Sequence, residues 1–256
     1  MAGTVVEDVV SLLDLGPTVL SLAGIEPPGY MQGKAFLGQY KAKEKRELAY
    51  GSADRFDEVY DFSRSVIDGK FSYIRNFDPG LPYIYRNKYR EQIDMTRTLL
   101  EMHKRGELEG SAAYIFSDSR AVEELYDLQK DPDEVNNLAG DPAYKSKLVK
   151  MRKQLAEWQL KVHDKGLIDE YNLVQLFWPG LIQPVTEKVK ITNEKEMVSL
   201  TCETEGASIG YQLDDQIGSE RWLLYHEPLK LKKDQKILVR AKRIGYRISD
   251  AVEFIF

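Results

Sequence analysis

The sequence predicts an α+β chain in two parts, and three observations carry that reading. An Asp68-Gly69 dipeptide joins two runs of alternating residues, the pattern of an antiparallel hairpin. Tyr144, Leu148, Met151, Leu155, Trp158 and Val162 recur at steps of three and four, which lines one face of a long helix. From Val185 onward only short strand-like runs remain, separated by turn residues, as a small all-β sandwich requires. With 256 residues and 43% hydrophobic content, the chain has room for one large domain or two small ones.

Glu7–Leu13 (EDVVSLL) reads as a buried strand. Asp14 then offers an N-cap, Pro17 falls in the first turn, and VLSLAG runs to a stop at Gly24. A strand thus feeds a helix, as in an α/β sheet, yet no other such unit precedes it, so the chain is expected to begin inside a larger fold. IEPPGYMQGKAF, rich in Pro and Gly, is a loop. ELAYGSA, FSRSVID and KFSYIRNF are strands, with Ser65, Ile67, Phe71 and Tyr73 suited to the alternating faces of an antiparallel pair. Pro79 and Pro82 break the sheet, Glu91–Lys104 is helical, and EELYDL is a returning strand. Asp131 and Asp141 can each cap a helical turn, with Pro132 and Pro142 at its first position. The long helix carries Lys145, Lys147, Lys150, Lys153 and Lys161 largely off its apolar face, stops at Gly166, and should lie across the small sheet. Pro179, Gly180 and Pro184 mark a linker, which divides the chain into 1–178, a linker at 179–184, and 185–256. The strands beyond it are EKVKIT, MVSLTCE, SIGYQLD, WLLY, LKL, KILVRAKR and VEFIF.

A net charge of −5 with both signs interspersed speaks against nucleic acid as a partner. No apolar run approaches the ~20 residues of a membrane span. MAGTVVEDVV has no basic region followed by an apolar run, so no signal peptide is expected. One cysteine excludes an internal disulfide. Fifteen tyrosines against three histidines suit a surface of hydroxyl-tipped rings, which meets sugars or other polar partners but is also ordinary core material.

Gly206-Ala207-Ser208-Ile209-Gly210 matches a nucleophile elbow, but an elbow needs a helix after its serine and SIGYQLD continues as a strand. It reads as a turn. Cys202, in phase with Val198 and Leu200, reads as a core thiol. His103, His163 and His226 have no metal-ligand spacing. No catalytic or metal-binding residue is therefore assigned. The run Asp54–Asp61 differs: four carboxylates and an arginine crowd between two strands. Such a loop can offer a guanidinium fork to an anion and carboxylates to sugar hydroxyls, against the plainer reading of a solvated acidic loop. Arg64 and Arg75 lie within strands, where they can point into a cleft or pair with these acids. Asp54, Arg55, Asp57, Glu58, Tyr60 and Arg64 are the candidate substrate-binding residues.

GTVVEDVVSLLDLGPTVLSLAGI, DRFDEVYDFSRSVIDGKFSYIRNF and EELYDLQKDPDEVNNLAGDPAYKSKLVKMRKQLAEWQLKVHD resemble, in order and spacing, the C-terminal region of formylglycine-dependent sulfatases, with the heparan N-sulfatase-like branch nearest. ASIGYQLD, WLLYHEPLKL and ILVRAKRIGYRISDAV resemble the small immunoglobulin-like sandwich appended to chitobiases and some bacterial sulfatases. The resemblance implies the C-terminal subdomain of the alkaline-phosphatase-like fold, which covers the active-site cleft and shapes substrate choice. It implies, for a full-length enzyme, calcium, a formylglycine made within a C/S-x-P-S-R motif, a sulfated saccharide such as a glycosaminoglycan as substrate, and a periplasmic or extracellular location. That motif is absent here, since Cys202 is followed by Glu-Thr-Glu-Gly. Three readings stay open: a sulfatase part that recognises substrate and is inactive alone, a non-catalytic carbohydrate-binding or interaction module, and a part of a related phosphohydrolase.

Overall fold

The computed structural model describes residues 3, 7–56, 59–194 and 197–256. These fall into two units, Met1–Gly166 and Leu167–Phe256. In the first, the Ser11 hydroxyl accepts the Leu13 N–H and the Asp14 carboxylate accepts the Ser11 N–H, a capping box that starts a 3-10 turn at Leu12–Asp14. The turn runs into α1 (Leu15–Leu22), and Gly24 follows at φ 75°. The strand expected over Glu7–Leu13 does not form. Among the described residues no strand pairs with it, and Leu12 is 85% exposed. A strand without a ladder leaves its backbone groups unsatisfied, so the local cap wins.

α1 is turned inside out relative to an ordinary surface helix. Its buried members are Pro17, Thr18 and Ser21, while Leu15, Val19 and Leu22 face solvent. The polar side is occupied by the following loop: Thr18 accepts the Phe36 N–H and Ser21 the Tyr40 N–H. Asp14 does not cap α1 with its side chain. Burial alone would raise its carboxyl, but Arg46 and the Lys34 and Ser11 N–H groups overcome this and hold it below the usual range.

Four antiparallel strands follow, β1 (Ala49–Phe56), β2 (Val59–Ile67), β3 (Phe71–Asn76) and β4 (Glu123–Asp127), adjacent in that order. Gly69, at φ 85°, closes the β2–β3 hairpin, and Asp68 accepts the Lys70 and Phe71 N–H groups. α2 (Asp94–Lys104) and α3 (Gly110–Tyr114) lie in the excursion between β3 and β4. Asp131 organises a turn rather than a helix, accepting the Val135 and Asn136 N–H groups. Asp141 caps a 3-10 turn with Pro142 at its head, which leads into α4 (Lys145–Lys161). Leu148, Met151 and Leu155 of α4 bury against Val66, Phe71, Tyr73 and Leu125 of the sheet, and Trp158 stacks on Tyr50 at 4.8 Å. α4 stops before Gly166, with His163 in the left-handed region at φ 51°.

The second unit begins with α5 (Glu170–Phe177), capped by Asp169. Its strands are β5 (Lys190–Glu194), β6 (Met197–Thr201), β7 (Ser208–Leu213), β8 (Leu223–Leu224), β9 (Leu229–Lys230), β10 (Lys236–Lys242) and β11 (Val252–Ile255). They form two antiparallel sheets, β11-β10-β7-β8 and β5-β6-β9, whose side chains share one buried cluster including Val198, Leu200, Ile237 and Val239. Pro179–Leu181, expected in a linker, form a 3-10 turn within this unit. Ser208 opens β7 after a turn at Gly206 (φ 74°), as read from the sequence. The Cys202 thiol, partly buried against the cluster, donates to the Glu187 carbonyl. No helix among the described residues is long and apolar enough to cross a membrane.

Candidate functional site

The charged run expected as a loop is mostly strand. Asp54 and Arg55 belong to β1, and Tyr60 and Asp61 to β2. Asp57 and Glu58 lie outside the described residues. The β1–β2 register shifts between Ala53 and Arg55, so Asp54 sits at a bulge, the kind of irregularity that re-aims a side chain.

That re-aiming brings Asp54 to Arg64 at 2.7 Å. Arg64 is 2% exposed and grips Asp164 through two bonds of 2.8 and 2.9 Å. It also donates to the Ser63 carbonyl and lies 4.8 Å from the Phe62 ring centre. Its bonds to Asp54 and Asp164 outweigh the burial that would lower its pKa, and it stays charged. Arg64 therefore does not face a cleft: it is a buried clamp between β2 and the end of α4. Gly166 is required beside it, because a Cβ there would collide with the Arg64 guanidinium and the Phe62 ring.

Asp61 is matched in the same way. Arg120 donates to both of its oxygens, at 3.1 and 2.6 Å, and is itself nearly buried. Each arginine desolvated beneath this hairpin thus has its carboxylate, which buried charge demands.

Above these pairs lies a cleft of about 580 Å³. One wall is the hairpin: Ser52, Ala53, Asp54, Arg55, Val59 and Asp61. The other comes from the segment after β3: Tyr83, Tyr85, Asn87 and Arg90. Asn87 is buried, and its side-chain oxygen accepts the Tyr89 and Arg90 N–H groups, which fixes the turn that carries Arg90. Tyr83 shares a 2.7 Å bond with Tyr114 and donates to buried Glu124. Burial pushes the Tyr85 phenol up to about 12, helped by the charge of Asp61, so it remains a neutral hydroxyl at physiological pH.

Of the six residues expected to bind substrate, Asp54 and Arg55 line this cleft, Tyr60 and Arg64 do not, and Asp57 and Glu58 fall outside the described residues. Sequence reasoning missed Tyr83, Tyr85, Asn87 and Arg90. The alternation of tyrosine with basic and amide residues in LPYIYRNKYR was the available signal. Chemically the cleft offers guanidinium and phenol groups, suited to hold an anion and a hydroxyl-bearing ring. The described residues hold no cluster of three or more His, Cys, Asp or Glu able to take a metal, and Cys202 stands at the edge of the second unit's core outside any C-x-P-S-R motif.

No protein-family model matches the chain. Among curated proteins it is 39% identical over 247 residues to an ulvan-active sulfatase of Formosa agariphila, covering 95% of this chain and 41% of that protein. It is 31% identical over 175 residues to the human N-sulphoglucosamine sulphohydrolase, covering 63% of this chain and 34% of that protein. The chain therefore spans less than half the length of these relatives. A solved putative sulfatase from Bacteroides thetaiotaomicron aligns with 59% of this chain and 25% of its own, at 24% identity and a TM-score of 0.39, which is too low to assign a fold. The two curated similarities, one running nearly end to end along this chain, make it a homologue of the sulfatases that corresponds to a part of their length.

Proposed function

We propose that the chain is the C-terminal part of a sulfatase acting on sulfate esters or N-sulfates of a saccharide outside the cytoplasm, and that its own role is to contact the saccharide. The observation that carries this is the cleft between the hairpin and the tyrosine-rich segment. Arg55 and Arg90 stand on its walls beside Tyr83, Tyr85 and Asn87. Guanidinium forks suit sulfate and carboxylate groups, while phenols suit sugar faces and hydroxyls. The relatives named for ulvan and for N-sulphoglucosamine support a saccharide ligand. The outward apolar side of α1 supports a longer protein, since a ridge of Leu12, Leu15, Val19 and Leu22 is what a further layer would cover.

The test uses an intact homologous enzyme carrying Arg55→Ala or Tyr85→Phe at the matching positions. Losing one charge-assisted contact costs about 1.5–3 kcal/mol, so Arg55→Ala should lower kcat/KM on the natural saccharide by about one to two decades. A small aryl sulfate, which reaches only the sulfate pocket, should be hydrolysed nearly as before. Equal losses on both substrates, or loss on neither, would remove the recognition role.

A further inference from the structure

The second unit holds a cleft of about 340 Å³ lined by Val174, Phe177, Trp178, Arg243, Ile244, Gly245 and Tyr246. Its shape is fixed by backbone and side-chain bonds. After β10 the chain makes a tight turn in which the Tyr246 N–H donates to the Arg243 carbonyl and Gly245 takes φ 86°. The Gly245 carbonyl accepts both the Trp178 indole N–H at 2.9 Å and the Gln183 amide at 3.1 Å. The Arg243 N–H is tied to the Thr186 hydroxyl at 3.1 Å. The turn and the end of α5 are thereby locked face to face, with Ile244 at the tip 95% exposed.

Arg243 is the informative member. Its guanidinium lies 4.5 Å from the Tyr246 ring centre, and among the described residues no carboxylate pairs with it. Among the described residues the two buried arginines, Arg64 and Arg120, are matched with acids, whereas Arg243 is only half-buried. Here a stacked cation is held at the edge of an aromatic cleft with its hydrogen-bonding fork unused. A purely apolar occupant would strip water from that fork without replacing it, a cost that an anionic group removes. The aromatic walls meanwhile favour a ligand with a flat, partly apolar face. The volume lies at the small end of ligand pockets, which begin at about 300 Å³.

We infer that this cleft is a second saccharide site, in which the aromatic walls take a sugar ring and Arg243 takes its sulfate or carboxylate group. The saccharide part rests on the function proposed above, but the residues do not, since none of them belongs to the first cleft. Such a site would hold a polymeric substrate through a unit distant in sequence from Arg55 and Arg90.

The experiment is calorimetric titration of the whole chain with a heparin-derived oligosaccharide and with its chemically desulfated counterpart. Arg243→Ala should weaken binding of the sulfated ligand about tenfold or more, as the loss of one charge-assisted contact implies, with Arg243→Lys recovering part of it. Phe177→Ala should weaken both ligands, the desulfated one should bind wild type at least about tenfold more weakly, and added salt should narrow that difference. Circular dichroism confirms that each variant is folded. Unchanged affinity in Arg243→Ala, or equal binding of the two ligands, overturns the inference. So does a dimer of the chain that Ile244→Asp dissociates without any saccharide binding, because a second copy would then be the occupant. Loss of all binding in Arg55→Ala, with none in Arg243→Ala, overturns this site and leaves the function proposed for the first cleft standing. The reverse pattern overturns that function and leaves this site.

Discussion

Replacing Arg64 with alanine should damage the stability of the first unit far more than any surface contact. Its side chain is 2% exposed and that of Asp164 10%. Removing the guanidinium leaves Asp164 with the Gln159 amide at 2.9 Å and the Gly166 N–H at 3.0 Å, and no cation. Breaking a buried pair by deleting one partner costs about 3–5 kcal/mol, because the other charge stays desolvated. The half-exposed Asp54 adds little, since water takes over its bond. Urea unfolding followed by hydrogen exchange of the β2 and β3 amides reads the effect, and the midpoint should fall by about 1 M or more. The double change Arg64→Met with Asp164→Leu should recover much of the loss. The pH dependence gives an independent check. Arg64, aided by Gly166 and Gln159 and opposed by burial, holds the Asp164 carboxyl well below the usual range. A depressed carboxyl contributes its stability above the unfolded value of about 3.9 and loses it as pH falls through the folded value. Wild type should therefore weaken steeply below about pH 4, and Arg64→Ala less so. A stability change under about 1 kcal/mol, joined to a selective loss of saccharide turnover in an intact enzyme, would refute the clamp and make Arg64 a substrate contact.

Gly166→Ala should also destabilise the first unit, since the added methyl meets the Arg64 guanidinium and the Phe62 ring; thermal melts that match wild type would contradict the packing. Leu155→Ala empties a site 2% exposed between α4 and the sheet and should cost about 2–5 kcal/mol in denaturant titration. Limited trypsin should cut first near Lys165, between the two units, and leave a soluble fragment through Phe256; first cuts within β10 or β11 would misplace the division. The chain by itself should hydrolyse neither an aryl sulfate nor sulfated glycosaminoglycan fragments. Turnover above a buffer blank that a point change in this chain abolishes would defeat that expectation.

What the sequence determined by itself was whatever repeats at short range. The Asp68-Gly69 turn, the apolar face Leu148, Met151 and Leu155, and the short strands after Val185 all stand where their periods place them. Each depends on residues within a few positions of one another, so local geometry is sufficient. Elements that need a distant partner were decided by the tertiary structure. EDVVSLL has the composition of a strand, but among the described residues no strand pairs with it, and the Ser11 cap prevails. Arg64 reads either as a cleft residue or as a partner of the acids near it, and it does pair with Asp54, yet its second partner, Asp164, lies 100 positions away. Neither spacing nor composition carries a contact of that length. The cleft itself shows the same division: Asp54 and Arg55 were legible as a dense run of charge, whereas Tyr83, Tyr85, Asn87 and Arg90 became its second wall only through folding. A binding surface is assembled from segments that are neighbours in space, and a linear pattern records only the neighbours that are also close along the chain.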